Sequence, residues 1–405
     1  MNNPATSQGS QHARPAGGDT PGGQALTVLQ VLPGLETGGV ERGTIDVAAA
    51  VVAAGGRAIV VSSGGRMEAE LQRAGATHIR MPVDRKTLRH MWRNAGRLTR
   101  LIREEKVDVV HARSRAPAWS ARIAARRTGT PFVTTFHGVY NFNGPLKKAY
   151  NRVMTTGDKV IAISAYIADH MTDQYNLDRS RIEIIHRGVD VAQFDSDAVS
   201  AARVIQMSES WRLPDGEPVI MMPGRLARWK GHAVLIDALA LMARRDFVAV
   251  IVGSEEGRES YVEELLKRVK KNDLEQVVRF VGHCNDMPAA FKLADVVVHA
   301  STDPEAFGRV IAEAAAMGRP VVASDHGGPR ETVIPARTGW LVPPGDAAAL
   351  AGILEAALDM EDGARRQLAS AAAENIRLHF SKQVMTRRTL EVYAELMRDR
   401  RQSHG

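Results

Sequence analysis

A repeated alternation of short apolar runs with amphipathic stretches is what most constrains this chain. Five runs punctuate the first half: LTVLQVL (26–32), RAIVVSS (57–63), VDVVHA (107–112), PFVTTFH (131–137) and DKVIAIS (158–164). Five more punctuate the second: PVIMMPG (218–224), FVAVIVG (247–253), VVRFVG (277–282), DVVVHA (295–300) and RPVVAS (319–324). Continuous apolar runs of this length read as strands buried on both faces. Helical stretches between them imply parallel pairing with right-handed crossovers. Two such series predict an α/β chain of two Rossmann-like, doubly wound parallel-sheet domains. A ligand in that architecture sits outside the carboxyl ends of the strands, here in the cleft between the domains.

The strand rhythm breaks over DSDAVSAARVIQMSESWRLPDGEP, which ends in turn residues. We therefore expect a first domain over 25–195, a linker over 196–215 and a second domain over 216–380. Residues 1–24 are rich in Gly, Pro, Ser, Gln and Asn and poor in large apolar side chains, so a disordered tail is expected there. The single cysteine, Cys284, allows no intrachain disulfide. No run approaches a membrane span, and the N-terminus lacks a signal-peptide core, so a cytoplasmic protein is expected.

The net charge of +7 is uneven. Residues 1–200 carry 26 basic and 18 acidic side chains, and residues 80–127 alone carry 14 basic and 4 acidic. Such asymmetry points to an anionic partner on the first domain. The segment RKTLRHMWRNAGRLTRLIR (85–103) reads as a basic amphipathic helix. Arg85, Lys86, Arg89, Arg93, Arg97, Arg100 and Arg103 share one face, with Leu88, Met91, Trp92, Ala95, Leu98 and Ile102 opposite. With the apolar side on a sheet, the arginine stripe would rest on anionic lipid at about 1 kcal/mol per basic residue. A solvated face is the plainer alternative. Nucleic acid is not expected as a partner, because no aromatic-studded or recognition-helix motif accompanies the charge.

Four segments carry candidate chemistry. In DPEAFGRVIAEAAAMGRPVVASDHGGPRETV (303–333), Glu305 and Glu313 lie eight apart, followed by a Gly327–Gly328 turn. A helix beginning near Phe307 would present free N–H groups and its positive dipole end to a phosphate, with Gly308 allowing close approach. Glu313, almost two turns on, is placed to accept from a pair of sugar hydroxyls, and Glu305 to hold a second sugar. Taken alone, either glutamate reads as a solvated helix residue. In PGRLARWKGHAVLIDAL (223–239), Arg225 and Lys230 sit in a strand-to-helix loop, where two cations clamp a diphosphate and take over the role of a divalent metal. One isolated arginine there would be an ordinary loop charge. In LPGLETGGVERG (32–43), Gly38 and Gly39 open a helix, although G-x-G-x-x-G is absent. In TTFHGVYNF (134–142), His137 follows an apolar strand, where a lone histidine is more often structural than a substrate contact.

Arriving together and in this order over residues 25–400, these segments resemble glycosyltransferase family 4, which has the GT-B fold. The resemblance implies an N-terminal acceptor domain, a C-terminal domain that binds a nucleotide-diphosphate sugar, and a last helix over 381–405, capped by Ser381, that crosses back to the first domain. It implies that Arg225 and Lys230 contact the diphosphate and that Glu313 holds the ribose. Glu305, with the backbone around Phe307 and Gly308, would orient the donor sugar. Gly38 and Gly39 would belong to the donor site, Gly39 approaching the diphosphate, and His137 would lie near the transferred sugar. A retaining, metal-independent transfer to a glycan or lipid-linked acceptor follows, with no cofactor beyond the donor. Together with the basic first domain, it points to cell-envelope or lipopolysaccharide-type glycan synthesis on the cytoplasmic membrane face. One departure stands out: many relatives carry Asn where this chain has Arg187, before Gly188-Val189-Asp190. Arg187 either adds charge beside an anionic acceptor or is a loop residue. Asp195-Ser196-Asp197 reads as D-x-D, a metal pattern elsewhere, but lies at the expected linker and is taken as coincidence. A nucleotide-sugar-binding protein without turnover, or an epimerase or hydrolase, are the alternatives on the same fold.

Overall fold

The computed structural model describes residues 25–140 and 144–404. The expected tail over 1–24, Asn141 and Phe142 of the F-H-G segment, and Gly405 lie outside the described residues. Thirteen strands form two wholly parallel sheets among the described residues. The first has β1 (Thr27–Val31), β2 (Arg57–Ser62), β3 (Thr77–Arg80), β4 (Val109–Ala112), β5 (Phe132–Phe136), β6 (Lys159–Ala162) and β7 (Ile182–Ile184), in spatial order β3-β2-β1-β4-β5-β6-β7. The second has β8 (Val219–Pro223), β9 (Val248–Val252), β10 (Val278–Gly282), β11 (Val296–His299), β12 (Val321–Ser324) and β13 (Trp340–Val342), in order β10-β9-β8-β11-β12-β13. Strand order reverses between β1 and β4 and between β8 and β11, and a doubly wound sheet opens its ligand crevice there.

All ten apolar runs became strands, and all but β10, an edge strand buried only at Val278, are largely covered on both faces. Every residue of β1, β4, β5, β8, β9, β11 and β12 is buried. Three strands were not anticipated: β3 (THIR), β7 (IEI) and β13 (WLV). Each lies at a sheet edge, has one neighbour and is only partly buried, so it needs no apolar run.

Two further expectations are corrected. The linker 196–215 contains a helix, Ala201–Trp211, docked on the second domain. Arg203 forks onto Asp286 at 2.9 and 2.6 Å, and Lys292 Nζ donates to the carbonyls of Ser196 and Val199 at 2.7 and 2.9 Å. The basic helix runs Leu88–Glu104, so Arg85 and Lys86 precede it. Its buried stripe is Met91, Asn94, Ala95, Leu98, Thr99 and Ile102, turned toward Asn94 and away from Trp92 relative to the apolar side of the wheel. Leu88 and Trp92, expected in the packing, are 75% and 58% exposed instead. Arg89, Arg93, Arg97 and Arg100 are all exposed, and the Arg127 guanidinium lies 5.4 Å from the Trp92 ring centre.

The C-terminal helix, Lys382–His404, packs on the first-domain helix Gly39–Ala53. Its Tyr393 is wholly buried, and its hydroxyl meets His111 Nδ1 at 2.6 Å. Ser381 Oγ accepts from Val384 N at 3.4 Å, which is N-cap geometry. A second tie between domains is Glu331. Its carboxylate accepts from Ala165 N and Tyr166 N at 2.7 and 3.0 Å, capping the first-domain helix Ala165–Tyr175, and pairs with His186 Nε2 at 2.7 Å.

Candidate functional site

Strand β8 delivers the chain into the loop that holds Arg225 and Lys230. The loop closes in a 3-10 turn, Arg228–Lys230, and Gly231 then starts the helix His232–Leu241. Gly231 sits at φ +80°, and a Cβ there would lie 1.8 Å from the carbonyl oxygen of Ala300. No other residue fits, which accounts for the W-K-G pattern. Thr302 N donates to Trp229 O at 2.8 Å, stitching this turn to the loop after β11. Lys230 is thereby held against Glu305, while Arg225 is exposed and has no ion pair among the described residues.

Glu305 lies at the centre of the site. Its Oε1 receives Lys230 Nζ, His299 Nε2 at 2.7 Å and Ser301 Oγ at 2.6 Å. Burial pushes its carboxyl up, but the hydrogen bond and charge of His299 and the Lys230 ammonium pull harder, holding it well below the usual carboxylate range. The Gly327–Gly328 turn braces the backbone: Gly328 N donates to Glu305 O at 2.8 Å, and a Cβ on Gly328 would lie 2.4 Å from Phe307 Cα.

The following helix runs Arg309–Ala316, two residues later than expected. Gly308 is its N-cap at φ +82°, and that left-handed bend delays the start. Phe307 is buried, packing near His186 and Phe380 at ring distances of 6.2 and 6.1 Å. Glu313 is buried one face away and pairs with Arg309 at 2.6 Å. Burial raises its carboxyl against the pull of Arg309.

On the first domain, Gly38 caps the helix Gly39–Ala53 without a side-chain bond. The carbonyl of Gly39 accepts from Arg187 Nη1. His137 follows β5, with both ring nitrogens buried and without a hydrogen-bond partner among the described residues. Burial, followed by Arg187 and Arg113, holds it well below the usual histidine value. Of D-x-D, Asp195 Oδ1 accepts from Asp197 N at 2.9 Å, an ordinary turn. No cluster of three or more metal-ligating His, Cys, Asp or Glu side chains occurs among the described residues.

The structure thus brings Lys230, Glu305 and the 308–313 helix start together, and sets Gly39, His137 and Arg187 on the facing domain. Sequence reasoning missed His299, Ser301, Arg113 and Glu331. A histidine ending an apolar strand, in VVVHAS, was the available signal for the first.

Known proteins resemble this chain in sequence and fold. A family model described as Glycosyl transferases group 1 matches residues 205–375, and one described as Glycosyltransferase Family 4 matches residues 37–193. A glycogen synthase of Mycobacterium tuberculosis is 30% identical over 312 residues, covering 74% of this chain and 72% of that protein. A D-inositol 3-phosphate glycosyltransferase of Jonesia denitrificans is 30% identical over 285 residues, covering 64% and 67%. The crystal structure of a glycosyltransferase from Rickettsia africae superposes with TM-score 0.86 at 36% identity, covering 92% of this chain and 99% of that one.

Proposed function

Because the chain belongs to glycosyltransferase family 4 and has the GT-B fold, we propose that this glycosyltransferase is retaining and metal-independent. It moves a hexosyl group from a nucleotide-diphosphate sugar to a glycan or lipid-linked acceptor. Residues 216–380 form the donor domain and residues 25–195 the acceptor domain, joined through 196–215 and by the returning helix of 381–405. The observation that carries this reading is the partly buried Lys230–Glu305–His299 cluster at the carboxyl ends of β8 and β11.

Each residue has a task in that reading. Arg225, exposed and unpaired, and Lys230, at the cluster's edge, take the donor diphosphate. Their charge stabilises the departing nucleotide, the task a metal ion performs elsewhere. Glu305 stays ionised across the working range and, with the backbone at Phe307 and Gly308, holds the donor sugar. Glu313 accepts from the ribose hydroxyls. Gly38 and Gly39 approach the diphosphate from the facing domain. The acceptor hydroxyl, near the neutral His137, attacks the face the diphosphate leaves, and a leaving phosphate oxygen takes its proton. No enzyme nucleophile is required.

The exposed stripe of Arg89, Arg93, Arg97 and Arg100, beside the protruding Leu88 and Trp92, supports contact with an anionic membrane surface. Our reading is therefore of a peripheral enzyme on the cytoplasmic face of a membrane, in cell-envelope or lipopolysaccharide-type synthesis. No helix among the described residues is long and apolar enough to span a membrane. The test is a thermal-shift panel of UDP, GDP, ADP and their sugars, followed by product analysis with acceptors. A donor at 100 times its dissociation constant adds about 2.7 kcal/mol of stability. Binding without turnover would demote the protein to a sugar-nucleotide binder. Free sugar or an epimerised donor without acceptor would make it a hydrolase or epimerase.

A further inference from the structure

The first domain holds two buried guanidinium groups that no carboxylate reaches at ion-pair distance among the described residues. Arg113, after β4, donates from Nε and Nη2 to Gln30 Oε1 at 2.9 and 2.6 Å and from Nη2 to Gly43 O at 3.3 Å. Arg187, after β7, reaches the carbonyl of Gly39. They are 5% and 9% exposed, and neither forms an ion pair among the described residues. Burial lowers both guanidinium groups. For Arg187, repulsion from Arg113 and Arg309 adds to burial and brings it down to about 9.

Topology brings these cations to one place. A cavity lined by Gly39, Gly43, Arg187 and Arg309 and another lined by Arg113, Thr135, His137 and Arg187 share the Arg187 side chain. A Cβ on Gly39 would lie 3.5 Å from both Arg187 Nη2 and Arg309 Nη1. His137 adds two buried ring nitrogens with no partner among the described residues. Asp46, which also lines the first cavity, attracts Arg113, and Glu41 attracts Arg187, but neither carboxylate pairs with them directly, and Asp46 itself answers chiefly to Lys382 and Arg42. Buried like charges repel, and a polar ring left unbonded costs desolvation energy. An arriving oxyanion relieves both.

We propose that this cluster seats a phosphoryl group of the acceptor, with Arg113 and Arg187 as its cations, Arg309 completing it from the donor domain, and neutral His137 as a hydrogen-bonding partner. The proposal rests on the reading of the first domain as the acceptor side. Two guanidinium forks and the Nη1 edge of Arg309, whose Nη2 pairs with Glu313, suit a dianion with several oxygens better than a lone carboxylate. The donor diphosphate has its own cations, Arg225 and Lys230, on the second domain. A merely structural Arg187 would tether Gly39 and leave anion binding unchanged on substitution.

Inorganic phosphate is the probe, titrated calorimetrically into the full chain with and without a saturating nucleoside diphosphate, whichever of UDP, GDP or ADP gives the strongest thermal shift. One phosphate site is expected, unaffected by the nucleotide. Arg187→Asn should weaken phosphate about tenfold or more, the loss of one charge-assisted fork, and leave the nucleotide within about twofold. Arg187→Lys should recover part of the loss. Absence of phosphate binding, equal binding by folded Arg187→Asn, or displacement of phosphate by the nucleotide overturns the proposal. The wild-type competition decides it even if the variant does not fold. Glucose 6-phosphate and short-chain phosphatidic acid micelles separate the sources. Displacement of phosphate by the first supports a soluble acceptor, by the second a lipid-borne one, and by neither overturns the proposal. Phosphate binding without glycosyl transfer to any acceptor would sink the functional reading alone. Transfer without phosphate binding would sink this proposal alone.

Discussion

The two sides of the cleft treat buried charge in opposite ways. On the donor side, Lys230, His299 and Ser301 converge on one oxygen of Glu305, so its ionised form is matched before any ligand arrives. On the acceptor side, Arg113 and Arg187 are as deeply buried but meet only amide and carbonyl oxygens. Balanced charge holds a fixed geometry, which orientation of a donor sugar demands. Unbalanced charge stores attraction for a ligand of the missing sign. The net charges of the halves tell the same story: residues 1–200 have eight more basic than acidic side chains, whereas residues 201–405 have 27 basic and 28 acidic.

Removing the centre of the balanced side tests the contrast most severely. Glu305→Ala should lower kcat by about 10²- to 10³-fold, as losing one preorganised polar group does, with circular dichroism unchanged. Near-full activity would remove Glu305 from the site. A comparable effect should come through the backbone. Gly231→Ala puts a methyl against the Ala300 carbonyl at a left-handed φ, costing about 3 kcal/mol or more in urea unfolding. An unchanged midpoint would show that the W-K-G turn has slack.

How much of this was legible in the sequence follows from how each group is assembled. Arg225 and Lys230 share one loop, and Glu305 and Glu313 share one loop and helix, so their spacing in the chain survives in the fold. Arg113 and Arg187 come from the ends of β4 and β7, which are not even neighbours in the sheet, and only the strand order joins them. His299 was hidden inside an apolar run that reads as core. The interior strands announced themselves because burial on two faces demands apolar side chains. Edge strands such as Ile182–Ile184 did not, because one-sided pairing leaves Glu183 free to sit among them. The helix Leu88–Glu104 was legible as a helix, but its packed face is turned away from the wheel's apolar side, burying Asn94 and Thr99 and leaving Leu88 and Trp92 out.

That protruding edge sharpens the comparison at the level of the surface. Neutralising Arg93, Arg97 and Arg100 together should weaken flotation with anionic liposomes roughly 100-fold, at about 1 kcal/mol per arginine. The loss should shrink as salt rises, because exposed charges are screened. Replacing Trp92 and Leu88 by Ser should weaken flotation with a smaller salt dependence, since that part is burial of apolar area. Flotation indifferent to both changes would leave the stripe as a solvated face.

The smallest effect concerns an acid that shares a cavity with Arg187. Asp46 lines the cavity with Arg187 and Arg309, yet its carboxyl is pushed up to about 6. Burial is the main cause, and Lys382 and Arg42 offset it only in part. A carboxyl whose folded value lies above its ordinary 3.8 favours the folded state while protonated. Its contribution is full below about pH 4 and is lost as pH rises through about 6. Asp46→Asn keeps the shape and stays neutral, so the variant should gain on the wild type by on the order of 2 kcal/mol between pH 4.5 and 8. Urea midpoints at the two pH values measure that difference. A variant that instead loses ground at pH 8 would mean that the ionised carboxylate already balances Arg187, and the acceptor side would then be no less paired than the donor side.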